Sequence, residues 1–266
     1  MIIVPSDEVE SVKRAEAQAA PKVVDVQSDD PPPSYSPLSQ TVAQPPPPSV
    51  PVQPGIKPSN FVSISRNNGS VKDRWFLDPG LMIPVSQLLP LPAGETEDRR
   101  KNLNIESRNG EIVADVTLAQ YNPNREIKAL DRKRAIIHVK TYNGGITTKM
   151  HTPHSPRLPF YLDVFASNGA VHIYLPRTFR GLLVIKTWNG STKFSAEAST
   201  ELTTFSDIDK VHRCFIGDFS EWQDQESWTG DEVTVEAKNG SVKVLYDDEV
   251  HDTTKSKGFF GRFFGL

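Results

Sequence analysis

Six Asn-Gly pairs recur along this chain, at Asn68-Gly69, Asn109-Gly110, Asn143-Gly144, Asn168-Gly169, Asn189-Gly190 and Asn239-Gly240. With 12 Asn and 16 Gly among 266 residues, chance supplies about 0.7 such pairs, so six of them mark an internal repeat. The clearest copy is "VTVEAKNGSVKVLY", residues 233–246. A two-residue turn there sets Lys238 opposite Ser241, Ala237 opposite Val242, Glu236 opposite Lys243 and Val235 opposite Val244. The apolar members of these pairs then lie on one face, and a slip of one residue would turn that set outward. Asn and Gly suit such a turn because both central residues need positive φ.

The same register aligns Ala166 with Val171, Val164 with Ile173 and Leu162 with Leu175, and it brings Arg108 to Glu111. Two copies depart from the rule: Arg66 stands where the others have a small residue, and Thr192 where they have an apolar one. In the fifth copy, "TWNGSTKF", Lys186 is set facing Lys193, with Trp188 beside the turn. If one copy has been turned toward a partner, it is this one.

Successive Asn residues are 41, 34, 25, 21 and 50 positions apart, which is no strict-period repeat. The fold expected is all-β, a solenoid-like stack of strand–turn–strand copies. The short middle spacings favour stacking, and residues 78–101 and 199–231 read as insertions. A β-sandwich in which each copy is an ordinary hairpin is the alternative.

The folded part is bounded on both sides. Residues 31–58 carry 11 of the 22 prolines and too few apolar side chains for a core, so residues 1–58 are expected to form a disordered Pro-rich arm. The all-β domain spans 59–250, and residues 251–266 form a flexible aromatic tail.

A net charge of −3 gives no basic footprint for nucleic acid. One cysteine, Cys214, forms no internal disulfide, and the N-terminus has no signal-peptide pattern. No run reaches the roughly 18 apolar residues of a membrane-spanning helix. These features point to a cytoplasmic protein, and the three Asn-Gly-Ser sequons read as turns.

The stretches "PSNFVSISRNNGSVKDRWFLDP", "LNIESRNGEI", "FASNGAVHIYLPRTFRG" and "RCFIGDF…WTGDEVTVEAKNGSVKVLYDDE" together resemble a domain of unknown function abundant in mushroom-forming fungi. That domain is similar to bacterial putative-adhesin domains with a predicted β-solenoid fold. The resemblance covers about residues 58–250. It implies a β-solenoid and brings no catalytic residue, cofactor or activity with it; its adhesin label makes an adhesin-like surface protein one alternative function.

Chemistry-bearing patterns are sparse. Of the six histidines only His151 and His154 lie close together, and zinc needs three or four ligands, so they read as a polar loop. His138 and His172 fall on the solvent side of strands. The inserted loop 199–231 is an alternative site for an enzyme or ligand-binding protein, built on the carboxylates of its acidic stretch, such as Asp218 and Asp224, with Trp222 or Trp228. It lacks the carboxylate spacing of a calcium loop, and its tryptophans are expected to pack across a sheet edge.

Two segments outside the domain carry binding motifs. Pro32, Pro33 and Tyr35 match the Pro-Pro-any-Tyr ligand of WW-domain proteins, in which a polyproline-II segment docks on an aromatic groove. In the tail, Phe259, Phe260, Arg262, Phe263, Phe264 and Leu266 follow Lys255 and Lys257, a composition suited to a membrane interface or a partner. The sequence therefore predicts a non-enzymatic binding or scaffold protein without cofactor or metal, whose arm recruits WW proteins and whose tail docks on a membrane or partner.

Overall fold

In a computed structural model of the chain, residues 55–120, 134–153, 156–222 and 228–249 are described. The arm motif Pro32, Pro33 and Tyr35, the tail residues Phe259 to Leu266, and His154 and Asp224 lie outside them.

The alternating runs fold as strands. The first nine are β1 (Pro58–Ser59), β2 (Val62–Asn68), β3 (Val71–Leu77), β4 (Leu103–Asn109), β5 (Ile112–Leu118), β6 (Ala135–Asn143), β7 (Ile146–His151), β8 (Phe160–Asn168) and β9 (Val171–Leu175). There follow β10 (Gly181–Asn189), β11 (Thr192–Phe194), the short helix α1 (Ala196–Thr200), β12 (Leu202–Ile208), β13 (Val211–Ile216), β14 (Asp231–Asn239) and β15 (Val242–Tyr246). The strands form an eight-stranded sheet, ordered β12-β13-β10-β14-β8-β6-β4-β2, and a seven-stranded one, ordered β1-β3-β5-β7-β9-β15-β11.

Each Asn-Gly joins a strand of the larger sheet to one of the smaller, so the strands flanking it do not pair with each other. This corrects the hairpin register. Val235 lies opposite Val164 and Ile185, Ala237 opposite Ala166 and Thr187, and Lys186 opposite Glu236 and Val211. Lys193 lies opposite Lys243, and Glu111 pairs with Lys72 at 2.6 Å rather than with Arg108.

The copies pair with one another in parallel and in register, and their inward residues, such as Ile105, Val139, Val164 and Val235 from one sheet and Val116, Ile173 and Val244 from the other, make one buried cluster. An alternating strand offers the same inward set to either arrangement, which is why the apolar pattern fitted a hairpin too.

The glycines serve close stacking. A Cβ on Gly110 would sit 2.2 Å from Gly69 O, on Gly169 2.1 Å from Gly144 O, and on Gly240 2.0 Å from Gly169 O. Gly69, Gly144 and Gly169 have positive φ, but none of the six asparagines does. The two-residue reversal with positive φ at both positions is instead Asp209 (52°) and Lys210 (63°), joining β12 to β13. Neither is a glycine, so the turn was not legible as one. Residues 199–231, expected as a plain insertion, thus carry an antiparallel pair that continues the larger sheet from the β10 edge.

The asparagines form a ladder along the corner. Each side-chain amide donates to the next carbonyl oxygen: Asn109 to Asn68 (2.9 Å), Asn143 to Asn109 (2.8 Å), Asn168 to Asn143 (2.9 Å), Asn239 to Asn168 (2.8 Å) and Asn189 to Asn239 (2.9 Å). Backbone bonds run beside it, such as Gly144 N–H to Asn168 O at 2.8 Å. Such ladders need identical residues in exact register, so the recurrence of Asn is a stacking signal.

The ladder follows the spatial order of the copies, which departs from chain order. The last copy, β14 with β15, lies between the fourth (β8, β9) and the fifth (β10, β11). Its entry is clamped. The Asp231 carboxylate, 3% exposed, accepts both Arg157 guanidinium nitrogens (2.7 and 2.5 Å) and the Phe160 N–H (3.1 Å). Arg157 also donates to Thr178 O at 3.3 Å, while Arg134 reaches Glu232 Oε2 at 2.5 Å and Thr229 O at 3.2 Å. A Cβ on Gly181 would meet Asp231 O at 2.0 Å. The LPRTFRG and WTGDE stretches are therefore the two sides of this insertion point.

The two irregular copies are the outermost ones. Arg66 and Asp73 take inward register positions in the first copy, where the stack ends, and both are exposed. Inward charges at a sheet edge oppose edge-to-edge pairing. Thr192 belongs to β11, the edge of the smaller sheet.

Candidate binding face

The face of the larger sheet turned away from the core carries the least explained side chains. Because neighbouring strands are in register, Glu106, Lys140, Phe165, Glu236 and Lys186 stand side by side on β4, β6, β8, β14 and β10. Two residues nearer the corner run Arg108, Tyr142, Ser167, Lys238 and Trp188. Tyr142 is 45% exposed and Trp188 50%. Four strands carry these two residues at their outer members, and three inter-strand steps of about 4.8 Å set them roughly 14 Å apart.

The rings hold the ammonium groups. Lys140 Nζ lies 5.0 Å from the Tyr142 ring centroid and 5.5 Å from that of Phe165; Lys238 lies 5.4 Å from Phe165, and Lys186 4.8 Å from Trp188. Tyr142 and Phe165 meet edge to face, with centroids 6.0 Å apart. Lys210 Nζ donates to the Trp188 carbonyl at 2.6 Å, tying the strained β12–β13 turn to the last aromatic of the row. Among the described residues no carboxylate lies within ion-pairing distance of Lys140, Lys186, Lys238 or Arg108. Beside Tyr142 a groove of about 540 Å³ opens over β2, β4, β6 and β8, lined by Arg66, Asn67, Glu106, Arg108, Tyr142 and Ser167.

Of this face the sequence singled out Trp188 and Lys186, the odd features of the fifth copy. Tyr142, Phe165, Lys140 and Lys238 were missed because they come from three separate copies; the signal available was that each precedes an Asn-Gly by one to three residues.

The acidic segment is built differently. Phe205, Phe215, Phe219, Trp222 and Trp228 pack on each other with centroids 5.0–6.5 Å apart, over the edge of the larger sheet, and Trp228 Nε1 donates to Asp231 O at 2.6 Å. Asp218 accepts the Ser220 N–H at 2.9 Å, and the hydrogen bonds from Ser220 hold its carboxyl below the usual range. Cys214 is buried, and burial pushes its thiol up to about 12. It therefore stays protonated and is no nucleophile.

Three of the histidines pair with carboxylates. His138 Nδ1 lies 2.9 Å from Asp163, His212 3.2 Å from Asp207, and His151 bridges Asp115 (3.1 Å) and Asp247 (2.9 Å). Among the described residues no group of three His, Cys, Asp or Glu is arranged to hold a metal ion.

The hydrogen bond to Asp247 raises the His151 pKa above its ordinary value, and burial opposes it. A raised folded-state pKa stabilises the fold fully below the unfolded value of about 6.5 and loses that contribution as pH rises through the folded value. His151→Gln is accordingly expected to lower the thermal midpoint at pH 5.5 more than at pH 8.5. Equal losses at both, in paired melting curves, would contradict the assignment.

The profile of a family described as Domain of unknown function (DUF7330) matches residues 60–249. No curated protein and no solved structure matches the chain.

Proposed function

The chain belongs to the DUF7330 family over residues 60–249, and from that premise, which brings no activity with it, we propose that the protein is a non-enzymatic scaffold whose docking surface is the aromatic and lysine face of the larger sheet. The observation that carries this reading is the pair of half-exposed rings, Tyr142 and Trp188, set in a row of cations that have no carboxylate partner among the described residues. A surface that served solubility alone would leave out large exposed rings, and aromatic and arginine side chains are enriched where partners dock.

In this reading the domain is a solenoid-like stack, supported by the in-register parallel pairing and the asparagine ladder, and it holds the face rigid. The arm adds a WW-domain ligand at Pro32, Pro33 and Tyr35. The tail adds a membrane or partner contact through Phe259, Phe260, Arg262, Phe263, Phe264 and Leu266. The single, buried Cys214 suits a reducing compartment, which supports the cytoplasm as the setting of this scaffold. The resemblance to fungal and bacterial adhesin domains read from the sequence is then taken as one of architecture, not of surface adhesion.

Proximity labelling in the native cell tests this. The variant Tyr142→Ala/Trp188→Ala is expected to lose the neighbours that the intact chain labels and that chains lacking the arm or the tail still label. An unchanged set of neighbours would remove the face from the proposal.

A further inference from the structure

We propose that the ligand of this face is an extended acidic segment of a partner protein, lying across the strands over β4, β6, β8, β14 and β10; the inference rests on the scaffold reading above and names its ligand. Two features select the class. The first is charge: Arg108, Lys140, Lys238 and Lys186 come from four strands of one sheet, and no carboxylate of the described residues pairs with them.

The second is where those cations sit. The ammonium groups of Lys140, Lys186 and Lys238 stand over the faces of Tyr142, Phe165 and Trp188 at 4.8–5.5 Å. A neutral sugar or a nucleobase binds by stacking on an open ring face, and would have to displace them. A carboxylate needs no such displacement, because it accepts from ammonium groups the rings already hold in place.

Shape separates a peptide from an anionic bilayer. The groove beside Tyr142 is recessed between the corner and the ring, and a lipid surface reaches protruding side chains, not a trough between them. The roughly 14 Å between Tyr142 and Trp188 equals about four residues of extended chain at 3.3 Å each. Glu106 and Glu236, interleaved with the cations on the row behind, set spacing: an even line of phosphates would meet them, whereas a peptide places its carboxylates selectively.

Fluorescence anisotropy with the full chain tests the proposal. The probe is a fluorescein-labelled octapeptide carrying five Asp and Glu residues, compared with the same peptide carrying Asn and Gln in their place. The acidic probe is expected to bind at least about tenfold tighter than the amide one, and Arg108→Ser/Lys140→Ser to weaken it about tenfold with an unchanged thermal midpoint. Lys238→Gln, a single exposed change, repeats the test should the double variant melt early. Lys193→Ser/Lys243→Ser, on the outer face of the other sheet, is expected to leave affinity as it was.

Absence of binding, equal binding of the two probes, or equal weakening by the Lys193/Lys243 pair would each overturn the proposal. So would displacement by decauridylate or a hexamer of galacturonic acid at lower concentration than by unlabelled acidic peptide. Loss of labelled neighbours in the Tyr142/Trp188 variant without acidic-peptide binding would leave the face standing and reject its ligand.

Discussion

A chain that stops at Gly230 is expected to lose its cooperative thermal transition altogether, although it keeps five of the six Asn-Gly copies. The missing copy is the one that separates the fourth from the fifth, so truncation leaves the facing edges of β8 and β10 unpaired and two strand spacings apart, with a one-strand gap between them. It also removes Val233, Val235, Val242, Val244 and Tyr246, all at most 1% exposed. Burial of such side chains is worth about 1.5–3 kcal/mol each, and five of them match a whole domain's stability of about 5–15 kcal/mol.

Arg157 would moreover lose the Asp231 carboxylate, and a charge left without its buried partner costs about 3–5 kcal/mol. Circular dichroism during heating reads the transition, and residues 228–249 supplied as a peptide are expected to restore it. A truncated chain that still melts cooperatively would show that the fourth and fifth copies can close on each other directly.

The second large effect separates two reasons for glycine at the corners. If the backbone angle decided, Gly69, with φ of 102°, would be the most sensitive of the six. Stacking says otherwise. Nothing lies within 4 Å of a Cβ on Gly69, whereas one on Gly240, whose φ is not positive, would sit 2.0 Å from Gly169 O. Gly69→Ala is expected to cost about 1–2 kcal/mol of backbone strain.

Gly240→Ala must push two copies apart in mid-stack and break the Asn239 rungs, and is expected to cost about 3 kcal/mol or more. Urea unfolding of both variants gives the comparison. A larger loss at Gly69 would return the corners to ordinary positive-φ turns.

Arg66 illustrates how far sequence reading reaches. It stood out because the equivalent position elsewhere is small: Ser107 and Thr141 hydroxyls donate to the Gly69 and Gly110 carbonyls at 3.4 and 3.1 Å, and Ala166 and Ala237 are fully buried. Its reason, an end of the stack with no neighbour to clash with, needed the spatial order. The binding face shows the same limit. Trp188 was visible as an aromatic beside a turn, but Tyr142 and Phe165 become its neighbours only through pairings 25 to 71 residues apart in sequence.

What the sequence by itself determined is local: alternation of period two, a corner after every Asn-Gly, and a core made of one side of each strand. Those follow from side-chain chemistry within a few residues. Which strand lies beside which was decided only in three dimensions, because backbone hydrogen bonds are blind to sequence and six similar copies offer many equivalent partners. The order was settled by contacts between distant residues, Arg157 with Asp231 and Arg134 with Glu232, and by the close passage of Gly181 against Asp231. A chain read from one end to the other places the last copy last; the fold places it fifth, where its charges find partners and its apolar face is covered on both sides.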